Sequence, residues 1–382
     1  MNRIILVGNG FDLAHGLPTR YSDFIEWYWI QWGYRLIHGS NNVETDELCS
    51  FKLSEEWKNY SWFNALGLLR RDNRSYHWDE KFTIEVAKDN EELCNFTYLS
   101  PFFKEICNTI ETRRWVDIES IYYNYLSHAS QYAIETKVVN DDLDVIRRYL
   151  IDYLSKIQIG KTTFSINKNV HDLITAPFVE HDISLDWLNK TKTKIRLAGV
   201  DYKKLVNTLD RILVLNFNYT DFADRYFSDI RNATIIHIHG SLSNPDSVIF
   251  GYGDELDEHY KEILNKNDNE YLRHIKSIRY LESPNYRNLL EFIESSPYQI
   301  YIMGHSCGNS DRTLLNTLFE HKNCASIKPF YHKKEDGSDN YIELVQNITR
   351  NFTDMKLLRA RVVNKDYCEI LPQNNQVQFR LY

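Results

Sequence analysis

Four consecutive apolar side chains, Ile4-Ile5-Leu6-Val7, run straight into Gly8-Asn9-Gly10, and this junction constrains the fold more than any other stretch. A run with no polar face must be covered on both sides, which predicts a strand in the interior of a parallel sheet. A helix should follow it. Tyr21 to about Ile37 supplies one, with Phe24, Trp27, Tyr28 and Trp32 at helical spacing and Ser22 as the expected N-cap.

Strand signals resume only at Ile212-Leu213-Val214-Leu215, followed by a polar turn and an expected helix. Thr234 to Ile238 and Val248 to Phe250 read as further strands. Glu255 to Ser295 reads as helical with a break at Ser283-Pro284, then Gln299 to Met303 and Ser326 to Tyr331 as strands, with a helix starting near Ser310 between them. Alternation at these lengths predicts an α/β fold, a doubly wound and mainly parallel Rossmann-like sheet. The sheet is interrupted by a large insertion. From His38 to about Arg114 only short helices are expected, around aromatic islands at Trp57, Trp62 and Phe63. Two long amphipathic helices are predicted next, the first through Ile118, Ile121, Tyr122, Tyr125 and Tyr132, the second through Leu143, Ile146, Leu150, Leu154 and Ile157. The expected division is a core of residues 1–24 and 209–382 and a mainly helical insertion of residues 25–208.

At 382 residues, 43% hydrophobic and 14% aromatic, the chain can bury a substantial core. Its net charge of −8 argues against general nucleic-acid binding, which needs a surface of lysine and arginine to meet phosphates. The six cysteines are scattered, with no C-x-x-C pair of the structural zinc kind. No apolar stretch approaches the roughly 20 residues that span a bilayer, and no basic segment with an apolar core opens the sequence. A cytoplasmic location and no membrane association are expected.

In an open parallel sheet, ligands bind outside the carboxyl ends of the strands. Four predicted strands end there in polar clusters: Gly8-Asn9-Gly10 with Asp12, Asn216 to Asp221, His237 to Ser241, and Gly304-His305-Ser306 with Asp311. Their convergence on one crevice is the expectation on which the functional reading depends. Gly8 and Gly10 either let backbone N–H groups approach a pyrophosphate or form a tight, empty turn. Gly16 comes too late for G-x-G-x-x-G. Asp12 either caps the first helical turn or faces a ribose hydroxyl. His237 and His239, two apart on a strand, could share a metal, although alternation with Ile236 and Ile238 fits a core strand equally well. Cys307 is expected to pack rather than react, His305 either stacks in the cleft or closes its turn, and Lys333 and Lys334 belong to a solvated loop.

Gly8-Asn9-Gly10-Phe11-Asp12 with Gly16-Leu17-Pro18 resembles the sirtuin pattern G-A-G-x-S-x-x-x-G-I-P, Asn218 in "NFNYTD" resembles the asparagine of T-x-N-x-D, and His239-Gly240 resembles the sirtuin H-G. "GHS" at Gly304 to Ser306 is similar to the late G-x-S element. More fully, "LVGNGFDLAHGLPTRYSDF", "LNFNYTD", "IHIHGSL", "IFGYGDE" and "IMGHSCGNSDRTLL" resemble, in order, the bacterial abortive-infection AbiH family. The AbiH resemblance implies defence against bacteriophage, with a phage-derived trigger as partner; the sirtuin-like one implies NAD as substrate or ligand. Departures from the sirtuin pattern are Asp12 for serine, Asn216 for threonine, Thr220 for aspartate, and the missing zinc module. Protein deacetylation is therefore not expected, and hydrolysis of NAD is the simpler activity.

Cleavage of the nicotinamide–ribose bond releases a neutral ring and needs no general acid, unlike ordinary glycoside hydrolysis. In that reading Asn218 orients water and ribose, and His239 accepts a proton. Gly8, Asn9, Gly10, Gly240, Gly304 and Ser306 line the nucleotide, and Asp12 or Asp311 takes the adenine-side ribose. No metal is expected. The alternatives are a non-catalytic NAD or ADP-ribose sensor acting through a partner and a metal-dependent nuclease using His237 and His239. A homo-oligomer is compatible with all three.

Overall fold

The computed structural model describes all residues except 40, 56, 58–79, 90, 93, 114–116, 129–133, 160–165, 186, 190–207, 335 and 374–382. The expectations for Trp62, Phe63 and Tyr132 lie outside the described residues. The chain divides into two compact units, Met1–Thr19 with Leu154–Tyr382, and Arg20–Tyr153.

The first unit is built on β1 (Asn2–Val7), and all six of its residues are buried. The strands of the insertion are β2 (Val43–Thr45), β3 (Cys49–Leu53) and β4 (Cys94–Tyr98); the sheet of the first unit continues with β5 (Ile212–Asn216), β6 (Ala233–His237), β7 (Tyr298–Met303) and β8 (Cys324–Phe330). Its order is β6-β5-β1-β7-β8, and every neighbouring pair is parallel. The chain thus winds from β1 outward through β5 and β6, then returns to β1's other side for β7 and β8. That reversal puts the topological switch point between β1 and β7, where ligands of such sheets bind. One face of the sheet packs Ile4, Leu6, Leu213, Leu215, Ile300 and Ile302 against the helices Asn285–Ser295 and Arg312–Glu320.

Three stretches differ from the expectation. Val248 to Phe250 is not a strand: the three side chains are buried, but the segment is held by single bonds, Ile249 N–H to the His239 carbonyl (2.9 Å) and Tyr219 O–H to the Ile249 carbonyl (3.1 Å). A short apolar run reports burial without specifying a ladder. The helix expected after β5 is only one 3-10 turn, Ala223–Tyr226. Residues 255–295 form separate pieces, including Glu258–Asn265, Lys276–Arg279 and Asn285–Ser295, the last following the expected break.

In the second unit, β2, β3 and β4 form an antiparallel sheet, where only short helices were expected. Its core is aromatic. Phe51 packs on Trp32 and Phe96, ring centroids 4.7 Å apart in each case, and Tyr28 on Phe103 at 4.9 Å. Asp46 accepts from Tyr28 O–H (2.9 Å) and from the N–H groups of Leu48 (2.8 Å) and Cys49 (2.9 Å), fixing the β2–β3 turn. Helix Tyr21–His38 is capped by Asp23, whose carboxylate accepts from Arg20 N–H (2.9 Å), rather than by Ser22. The predicted helix pair is observed as Ile118–Ser127 and Thr136–Ile159, joined by Tyr122 O–H donating to Asn140 (2.8 Å). Among the described residues no helix is long and apolar enough to cross a membrane.

Candidate functional site

The tips of β1, β5 and β7 are bound together by short polar contacts, and β6 joins them through ring packing. Gly10 donates its N–H to the Gly304 carbonyl (2.8 Å), and Gly8 donates to Met303 (3.4 Å). Gly304 has φ +79°, and a Cβ there would lie 2.0 Å from the Phe11 nitrogen; one at Gly10 would lie 2.7 Å from the Gly304 oxygen. The glycine turn is therefore packed against a second glycine turn. The Phe11 N–H goes to the Gly8 carbonyl (2.8 Å). Both glycine N–H groups are engaged within the protein, and a Cβ at either position would collide with the Gly304 backbone. Asn9 is exposed, its side chain accepting from Thr19 O–H. Ser306 is exposed as well, with its carbonyl accepting from Asn347 (2.9 Å).

Asp12 is 1% exposed and joins β1 to the asparagine loop. One carboxylate oxygen accepts from Asn218 Nδ2 (3.0 Å), the other from Thr220 O–H (2.6 Å). Asn218 Nδ2 also donates to the Gly8 carbonyl (3.1 Å). The loop itself is set by Asn216, whose Oδ1 accepts from Asn218 N–H (2.9 Å) while its Nδ2 donates to the Thr220 carbonyl (3.3 Å) and Asp224 (3.2 Å). Asp12 thus accepts within the protein on both of its carboxylate oxygens. The Asn218 donor is likewise committed, and only its Oδ1 is left for a ligand or water.

Beside this loop lies a buried charged cluster. His239 Nε2 faces two oxygens at 3.1 Å, Asp311 Oδ1 and Tyr280 Oη. Lys276 Nζ lies 2.9 Å from the same Asp311 oxygen, and His305 Nε2 lies 3.5 Å from Asp311 Oδ2. Asp311 thus meets charged or donor groups of the cluster on both of its oxygens. Burial works against its charge, but the Lys276 ammonium and the bonds from His239 and His305 hold its carboxyl well below the usual range. His239 is pushed down to about 4 by burial and then by the Lys276 charge, against the opposing pull of Asp311, so its ring is neutral at pH 7. An ionised carboxylate only accepts, so the ring's proton sits on Nε2 and its lone pair on Nδ1.

Aromatic rings close the cluster. Phe217 meets His239 edge to face at 5.2 Å and lies 4.0 Å from His305, while Tyr280 stacks on His239 (6.1 Å, 7°) and Tyr286 stacks on Tyr280 (5.4 Å, 6°). His305 accepts from Cys307 N–H at Nδ1 (3.0 Å), so it both closes its turn and reaches the cluster. Cys307 is fully buried and its thiol is pushed far up by burial, consistent with packing.

His237 does not share a site with His239. It pairs through Nε2 with Asp224 (2.8 Å), and β6 ends at His237, so His239 lies in the following turn. Gly240 completes that turn, donating to the His237 carbonyl (3.2 Å). Among the described residues no group of three His, Cys, Asp or Glu side chains is disposed to hold a metal.

The structure brings together His239, Asp311, Asn218 and Asp12 from the predicted strand-end clusters, with Lys276 and Tyr280, which the sequence did not single out. Lys276 and Tyr280 fall in a stretch that reads as continuous helix, where a lysine and a tyrosine carry no signal. The sheet and its site define a doubly wound α/β domain with a histidine–carboxylate pair at the strand ends near its switch point. The chain matches the family model for bacteriophage abortive infection AbiH over residues 4–332 and belongs to that family. No curated protein matches it.

Proposed function

We propose that this chain acts in abortive infection by hydrolysing NAD at the nicotinamide–ribose bond, giving nicotinamide and ADP-ribose. The observation that carries the reading is the buried, neutral His239 anchored on Asp311 beside the asparagine loop. Asp311 fixes the proton on Nε2, and His239 Nδ1 accepts the proton of the attacking water as the oxygen bonds to the ribose carbon. The bond to nicotinamide breaks with its electron pair passing to the ring, which leaves neutral. Asn218 Oδ1 orients the water or a ribose hydroxyl, and Phe217 supplies an apolar wall. Asn9 and Ser306, whose exposure leaves them accessible, meet the polar parts of the nucleotide. No step is assigned to the glycine N–H groups, since they are engaged within the protein.

A second reading, a sensor that binds NAD or ADP-ribose without turnover, is favoured by the commitment of the Asn218 amide nitrogen to Asp12 and Gly8. Incubating the purified protein with NAD, with and without phage lysate, and measuring nicotinamide separates the two. Release that His239→Ala abolishes supports hydrolysis. Tight binding with no release in either condition supports the sensor.

A further inference from the structure

Lys276 is a charged group of the His239 cluster for which the proposed hydrolysis has no use. It is 1% exposed, and its ammonium shares a single oxygen of Asp311 with His239, at 2.9 and 3.1 Å. The two nitrogens can be no farther apart than those two distances laid end to end. Burying a carboxylate here requires one compensating positive charge. Lys276 supplies it, so a second positive charge on His239 would face an ammonium at close range. Other neighbours of the ring are Tyr280 Oη, the Phe217 ring and His305, and His305 uses Nδ1 as an acceptor and so carries its proton toward Asp311. None of these adds negative charge.

We propose that Lys276 is a positioning residue of this site: by neutralising Asp311 through the oxygen that His239 also contacts, it keeps His239 as an uncharged ring able to accept a proton. A lysine pairing with Asp311 for stability alone would hold the fold without controlling the histidine. The inference rests on the reading of His239 as a base, but its test does not depend on turnover.

The test is an NMR titration of the His239 ring in the full-length protein carrying labelled histidine, comparing wild type with Lys276→Met, Lys276→Gln and Lys276→Arg. Glutamine keeps a donor for Asp311 and removes the charge, which covers the case in which methionine prevents folding. In the wild type the expected His239 midpoint is near 4. Loss of the charge raises that midpoint by about two pH units, the effect of one unit charge at this range in an effective dielectric of about 20, and arginine restores it to near the wild-type value. A midpoint unchanged within half a unit in folded Lys276→Gln overturns the proposal, as does a wild-type midpoint at the ordinary histidine value. Nicotinamide release is followed in parallel. If the midpoint moves and no variant turns over NAD, Lys276 keeps its role and the hydrolysis reading fails. If turnover is present, its acid limb moves upward with the midpoint.

Discussion

Replacing Asp12 by alanine removes the acceptor that ties the asparagine loop to β1. The carboxylate accepts from Thr220 O–H at 2.6 Å and Asn218 Nδ2 at 3.0 Å in a site 1% exposed. Hydrogen bonds to a charged group contribute about 1.5–3 kcal/mol each, and losing the acceptor leaves the buried Thr220 donor without its partner. The expected cost is therefore roughly 3–6 kcal/mol, a large part of a typical domain's stability. For a domain of this size that corresponds to a fall of about 6–15 °C in the thermal transition. Thr220→Val alone is expected to cost about 1–2 kcal/mol, because it deletes one donor and leaves the carboxylate bonded to Asn218. The double variant is then less destabilised than the two single losses together, since no Thr220 hydroxyl is left without a partner. Thermal unfolding followed by circular dichroism and tryptophan fluorescence measures all three. An Asp12→Ala transition within 1 °C of wild type would refute the argument that this carboxylate holds the strand tips together.

Gly304→Ala is expected to prevent stable folding of the first unit, because its Cβ would lie 2.0 Å from the Phe11 nitrogen at a φ of +79°. Soluble expression and unfolding midpoint test this, and a native-like midpoint would show that the two glycine turns can separate cheaply. In the second unit, burial raises Asp142 to about 6 while it accepts from Ser100 O–H. A carboxyl raised on folding favours the native state when protonated, so its contribution is full below about 4 and is lost as pH rises through 6. Asp142→Asn should therefore raise the transition temperature at pH 7.5 and leave it nearly unchanged at pH 4; equal effects at both pH values would contradict the assignment.

The sheet was legible because its strands are apolar on both faces and end in glycine or polar clusters, as Ile4 to Val7 and Gln299 to Met303 do. The antiparallel sheet of the second unit was not. Val43-Glu44-Thr45 is short and largely exposed, and such a strand leaves little hydrophobic period to read. At the site, the polar clusters after β1, β5, β6 and β7 correctly marked the residues that meet. What they do to one another could not be read from a single chain. The Gly10–Gly304 contact joins residues almost 300 positions apart, so the sequence around either glycine does not show that the two turns pack together. Asp12 and Asp311 stood out as acids at the strand ends, but which partners each one meets, Thr220 and Asn218 for the first and Lys276 for the second, is set only by the fold.

Nicotinamide release from NAD by the purified protein at neutral pH, alone and with phage lysate, compared with folded His239→Ala, tests the central claim most directly. Release by the wild type in at least one condition, with none above background in the variant, is the expected result. Equal release by both proteins, or none by the wild type in either condition, would contradict it.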